Sequence, residues 1–122
     1  MKKILIVDDE KPVCDMLEKF LIKKGYETVI ALSGEEAIRK VNEERPHLIL
    51  LDIRMPGMDG IETLKKIREI DKKVGIVMIT AVKDDDVGRK CAELGAYDYI
   101  TKPLDFEYLE RVLLIKLLNF GS

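Results

Sequence analysis

The most constraining stretch of this chain is His47 to Gly60, HLILLDIRMPGMDG. Leu48 to Leu51 is an uninterrupted apolar run, long enough for one strand and too short for a helix. A run that is apolar at every residue suits a strand buried on both faces. It ends on an acid, Asp52. Met55-Pro56-Gly57 and Asp59-Gly60 then make a turn-rich loop that no strand can continue. The stretch calls for a sheet covered on both sides, with a carboxylate delivered at its edge.

The same pattern recurs along the chain. Ile4 to Val7 is an apolar run ending on Asp8-Asp9-Glu10, and Ile76 to Ile79 is one ending on Thr80-Ala81. Thr28 to Ala31 and Tyr97 to Ile100 read as shorter strands, the second followed by Thr101-Lys102-Pro103. Helical spacing fills the gaps. Pro12 suits a first helical turn, Val13, Met16, Leu17, Phe20 and Leu21 form an inner face, and Gly25 closes the helix. Ser33 and Glu36 make a capping-box pattern ahead of Ala37, Ile38 and Val41. Ile61, Leu64 and Ile67 face inward in the next helix. Asp84, Asp85 and Asp86 open the one after, where negative charge suits the helix dipole, and Val87, Cys91 and Leu94 form its inner side. The last helix is expected from about Asp105 to Leu118, with Phe106, Leu109, Val112, Leu113 and Leu117 inside. Its second apolar set, Leu114, Ile115 and Leu118 with Tyr108, reads first as part of a wide core stripe and otherwise as a partner surface.

Five strands alternating with five helices predict an α/β fold with a parallel sheet between two helical layers. At 122 residues the chain is the size of one domain, expected over 1–120, with 121–122 as a tail or linker stub. A net charge of -2 argues against a general nucleic-acid or membrane binder. Lys2-Lys3 and the following apolar run resemble a signal peptide only until Asp8, and no run is long enough to span a membrane, so the expected location is cytoplasmic. Cys14 and Cys91 are far apart and read as two reduced, buried thiols. His47 is the one histidine and lies at the opposite end of its strand from Asp52, which excludes a histidine-based triad.

In a parallel sheet all strands point the same way, so Asp8, Asp9, Asp52, Thr80 and Lys102 fall at one edge. Ligands of open α/β sheets bind there, where strand order reverses. If the first strand lies between the second and third, the three acids meet at that reversal. Two like charges about 4 Å apart repel by roughly 4 kcal/mol at an effective dielectric of about 20. A hard divalent cation relieves this, and an oxygen-only donor set favours Mg²⁺ over Zn²⁺. Acids, a cation, a lysine and a hydroxyl together suit a phosphoryl group, with Asp52 as nucleophile and Lys102 and Thr80 on the phosphoryl oxygens.

These residues resemble the response-regulator receiver domain of two-component signalling. The resemblance rests on ILIVDDE at Ile4 to Glu10, LDIRMPGMDG at Leu51 to Gly60, ITA at Ile79 to Ala81 and YITKP at Tyr99 to Pro103, and covers nearly the whole chain. It implies a flavodoxin-like (βα)5 three-layer sandwich with a five-stranded sheet of order 2-1-3-4-5. It implies that Asp52 is the phosphoacceptor and that Asp9, Asp52 and the backbone carbonyl of Arg54 bind Mg²⁺, with Asp8 acting mainly through a metal-bound water. It further implies that Lys102 contacts the phosphoryl oxygens, that Thr80 and Tyr99 form a switch pair, and that Lys102-Pro103 is a cis peptide. The implied donor is the phosphohistidine of a histidine kinase or phosphotransfer protein. The implied readout is through the fourth helix, fifth strand and fifth helix, by an output partner or a second copy. Such a chain is not an enzyme in its own right, because it catalyses only its own phosphorylation and dephosphorylation.

Two other classes compete. A haloacid-dehalogenase-like phosphatase also phosphorylates an Asp after a strand but needs an acid two residues later, where this chain has Arg54. A receiver-like scaffold that is never phosphorylated would not need the full acidic set and Lys102.

Overall fold

The computed structural model describes residues 1–119, so the tail assigned to residues 121–122 lies outside the described residues. Strands β1 (Lys3–Val7), β2 (Glu27–Ala31), β3 (Leu48–Leu51), β4 (Gly75–Thr80) and β5 (Asp98–Thr101) alternate with helices α1 (Lys11–Lys23), α2 (Gly34–Glu44), α3 (Gly60–Ile70), α4 (Asp85–Glu93) and α5 (Phe106–Asn119). All strand pairs are parallel, in the order β2-β1-β3-β4-β5. The order reverses between β1 and β3, the arrangement under which the three acids meet.

The pleat divides each apolar run between two cores. Leu5, Val7, Ile49, Leu51, Ile76 and Met78 pack on one face with residues of α2, α3 and α4. Ile4, Ile6, Leu48, Leu50, Val77 and Ile79 pack on the other with α1 and α5. Period-two alternation sends neighbours to opposite faces, so a run buried on both must be apolar throughout. The strand β5 lies one residue later than its sequence pattern suggests. As an edge strand it has only one fully buried residue, Ile100, and its bounds come from pairing with β4 rather than from an apolar run.

Helix starts follow local chemistry. Ser33 Oγ accepts the Glu36 N–H at 3.1 Å, while the Glu36 carboxylate accepts the Leu32 N–H, one residue before the capping-box position. Asp84 is the cap of α4 and accepts from the Asp86 and Val87 N–H groups. Two helical faces differ from the sequence reading. Met16 is exposed on α1, where Cys14 joins Leu17 and Leu21 in the core. On α5 the buried stripe is Leu109, Val112, Leu113 and Leu117, whereas Leu114, Ile115, Leu118 and Tyr108 are exposed. The wide-stripe expectation fails because α5 packs on the sheet through a single face. Cys14 and Cys91 are buried and unbridged, as expected. No described helix is long and apolar enough to cross a membrane.

Candidate functional site

The sheet ladder runs one residue past the strand ends and places the polar groups. The Asp8 N–H donates to the Ala31 carbonyl at 3.2 Å, the Asp52 N–H to Val7 at 3.0 Å, and the Lys102 N–H to Thr80 at 2.8 Å. The backbones of Asp8, Asp52 and Lys102 are therefore held in register with neighbouring strands. Their side chains emerge together at the C-terminal edge.

There Asp8 and Asp52 are buried and Asp9 is exposed, and one ligand oxygen from each lies within 4.8 Å of the others. Lys102 Nζ stands 3.0 Å from Asp8 Oδ2 and 3.6 Å from Asp52 Oδ2. The Ile53 N–H donates to Asp52 Oδ1 at 2.8 Å and the Glu10 N–H to Asp8 Oδ1 at 3.0 Å. The N-cap position of α1 is Glu10, with no side-chain cap, so neither Asp8 nor Asp9 serves as the helix cap. Burial pushes the Asp52 carboxyl above its ordinary range, and Asp8 pushes the same way; Lys102, the Thr80 hydroxyl and the Ile53 N–H oppose them without cancelling the shift. For Lys102, burial alone would lower the pKa, but its bond to Asp8 and the charge of Asp52 outweigh it and hold the ammonium above its ordinary value.

Three carboxylates face one ammonium. The remaining charge of two, the all-oxygen donors and the half-open geometry fit a hard divalent cation of the Mg²⁺ kind. The Cys14 thiol donates to the Asp8 carbonyl at 3.3 Å beneath the site, but burial pushes it up to about 11, so it stays protonated and is no rival nucleophile.

Thr80 is fully buried at the end of β4, and its Oγ accepts the Val82 N–H at 3.2 Å. The Val82 carbonyl accepts the Tyr99 hydroxyl at 2.6 Å. One residue thus bridges Thr80 and Tyr99, a link that sequence spacing does not reveal. The Lys102-Pro103 bond is cis. Arg54 is exposed in the loop after β3 and brings no second acid to the site. His47 lies at the other end of β3, where its Nδ1 accepts the Lys3 N–H at 3.0 Å, a structural role. Sequence reading also missed Gly60. The Asp-Gly pair marked a turn, but the close approach of Gly60 to the Asp52 backbone is a tertiary contact.

An open parallel sheet with an acid cluster and one lysine at its switch point defines the receiver class of α/β proteins. The chain belongs to the response regulator receiver domain family, matched over residues 4–114. Sporulation initiation phosphotransferase F of Bacillus subtilis (strain 168) is 42% identical over 106 residues, covering 87% of this chain and 86% of that protein. A two-component response regulator from Clostridium difficile superposes with a TM-score of 0.95 at 34% identity over 100% of both chains. The CheY chain in a CheX-CheY-BeF3-Mg²⁺ complex from Borrelia burgdorferi gives 0.88 at 35% identity, covering 93% of this chain and 88% of that one. The protein is a receiver of two-component signalling. Receivers are phosphoacceptor switches that bind Mg²⁺ at an acidic pocket, and this chain carries such a cluster in Asp8, Asp9 and Asp52.

Proposed function

We propose that Asp52 is the phosphoacceptor of this receiver and that phosphohistidine of a histidine kinase or phosphotransfer protein is its donor. The supporting observation is the buried Asp52 carboxylate, anchored by the Ile53 N–H on one oxygen and facing Lys102 with the other. A carboxylate oxygen attacks phosphorus. The phosphorus–nitrogen bond of the donor breaks, its electron pair stays on the imidazole nitrogen, and Asp52 becomes an aspartyl phosphate. Lys102 turns from Asp8 to the incoming phosphoryl oxygens, a short move because Nζ already lies between the two acids. Asp8, Asp9, Asp52 and the Arg54 carbonyl would hold Mg²⁺, which when bound draws charge from the phosphoryl oxygens and offsets the crowding of carboxylates.

The Thr80 hydroxyl then donates to the phosphoryl group. Since Val82 bonds both Thr80 and Tyr99, that movement pulls on the start of α4 and on Tyr99 together. The switch is read on the α4-β5-α5 face, where Tyr97, Tyr108 and Ile115 are exposed, by an output partner or a second copy. The chain acts in the cytoplasm, catalyses only its own phosphorylation and dephosphorylation, and binds no nucleic acid directly. Residues 1–120 form the receiver domain.

The test is incubation with acetyl phosphate and Mg²⁺ followed by intact mass. The wild type gains one phosphoryl group and Asp52→Ala gains none. A gain that survives in Asp52→Ala overturns the assignment.

A further inference from the structure

We propose that Gly60 is a positioning residue for Asp52. Its missing side chain lets the start of α3 lie flush against the Asp52–Ile53 peptide, and that contact fixes the nucleophile's carboxylate. The proposal rests on the reading of Asp52 as phosphoacceptor. A β-carbon at residue 60 would lie 2.0 Å from the Asp52 carbonyl oxygen, 2.6 Å from Ile53 Cα and 2.8 Å from the Asp52 carbonyl carbon. All three are backbone atoms, so none can swing aside as a side chain would.

The peptide they belong to is pinned on both sides. The Asp52 N–H donates to Val7 in β1, and the Gly60 N–H donates to the Ile53 carbonyl at 2.7 Å. The Ile53 N–H is the donor that holds Asp52 Oδ1. Turning this peptide to admit a side chain moves that donor and releases the carboxylate. The loop has little slack to absorb the change. Asp59 caps α3 through the Glu62 N–H at 2.9 Å, and its carbonyl accepts the Thr63 hydroxyl at 2.7 Å.

Gly34 supplies an internal comparison. A β-carbon there would meet Thr63 Oγ1 at 2.3 Å and Met58 Sδ at 3.1 Å. The steric insult is similar, but it falls on side chains between α2 and α3. It strains the Thr63–Asp59 hydrogen bond yet leaves the Asp59 side-chain cap and every atom of Asp52 and Ile53 untouched.

The experiment compares wild type, Asp52→Asn, Gly60→Ala and Gly34→Ala with acetyl phosphate and Mg²⁺. It follows phosphoryl gain by mass, thermal unfolding, and the amide proton shift of Ile53 by NMR. Wild type gaining a phosphoryl group that Asp52→Asn does not gain establishes the underlying reading. A wild type that fails to gain one, or an Asp52→Asn protein that does, sinks that reading and this inference with it. With the reading intact, Gly60→Ala is expected to phosphorylate roughly 10–100-fold more slowly, the scale of a small misplacement of a reacting group. Its Ile53 amide moves away from the wild-type shift. Gly34→Ala keeps both the rate and the shift, whatever its loss of stability. A folded Gly60→Ala with wild-type rate and shift overturns the proposal, as does an equal loss in Gly34→Ala. Should Gly60→Ala not fold, Asp59→Ala loosens the same contact by removing the α3 cap. It should slow phosphorylation, and an unchanged rate would refute the role.

Discussion

The two edges of the sheet are built from the same strands and use charge in opposite ways. At the N-terminal edge the ionic and polar groups named here find protein partners. Arg68 reaches three backbone carbonyls, those of Asp71, Val74 and Gly95. Lys3 pairs with Glu27 and Glu44, and His47 accepts the Lys3 N–H. At the C-terminal edge two buried acids and an exposed one share a single lysine. The first arrangement is self-contained and serves stability. The second is left incomplete by the chain itself, and under the proposed function a cation and a phosphoryl group complete it. The contrast teaches where stability is given up for function.

The largest expected effect breaks the comparison at the functional edge. Lys102→Met should slow phosphorylation by acetyl phosphate about 10²–10³-fold, the scale of removing a donor to developing oxyanion charge. Added Mg²⁺ should recover the variant's stability but not its rate, as thermal unfolding and mass kinetics would show. At the other edge, Arg68→Met leaves carbonyls without their donor and should cost about 2–4 kcal/mol in denaturant unfolding. Its phosphorylation rate well below the unfolding transition should match wild type. A rate loss would mean the two edges are coupled.

Removing charge at the functional edge should do the reverse. Without Mg²⁺, Asp52→Asn is expected to stabilise the fold by about 1–3 kcal/mol by relieving the like-charge contact with Asp8. Unfolding with and without Mg²⁺ distinguishes this from a general effect, because the gain should shrink when the metal is present.

The pH dependence separates the edges by sign. Burial, with the Asp8 charge, holds the Asp52 proton in the folded chain above its ordinary 3.8, so stability falls as pH rises above 3.8 through the raised folded value. The folded chain resists protonation of His47 below its ordinary 6.5, chiefly through burial and then the nearby Lys2, N-terminus and Lys3 charges. Stability at that edge falls as pH drops below 6.5. Asp52→Asn should remove the first slope and His47→Gln the second in metal-free unfolding curves. The smallest change is Arg45→Gly at the end of α2, where φ is 48°. It should stabilise by about 0.5–1 kcal/mol, read in the same unfolding assay.

Much of this division is readable in the chain. The runs Ile4 to Val7, Leu48 to Leu51 and Ile76 to Ile79 announce buried parallel strands, and Asp8, Asp52 and Thr80 stand where those runs stop. The sheet order 2-1-3-4-5 is implied by the resemblance to the receiver family, not by the local pattern of the chain. The edge strand β5 was legible only to within a residue, because half-buried Tyr99 and Thr101 carry no periodic signal. Leu114 and Leu118 look like core in sequence, since a helix pattern gives the spacing of a face but not its width.

Sequence by itself determined the strands, the alternation and the polar residues collected at one edge, because these depend on local periodicity and on strand direction. Tertiary structure alone decided the contacts that make the edge a site. The Lys102 ammonium lies 94 positions from Asp8, Tyr99 reaches the Val82 carbonyl, and Gly60 presses on the Asp52 backbone. Such contacts rest on distances set by packing two helical layers on one sheet, and no local pattern in the chain encodes those distances.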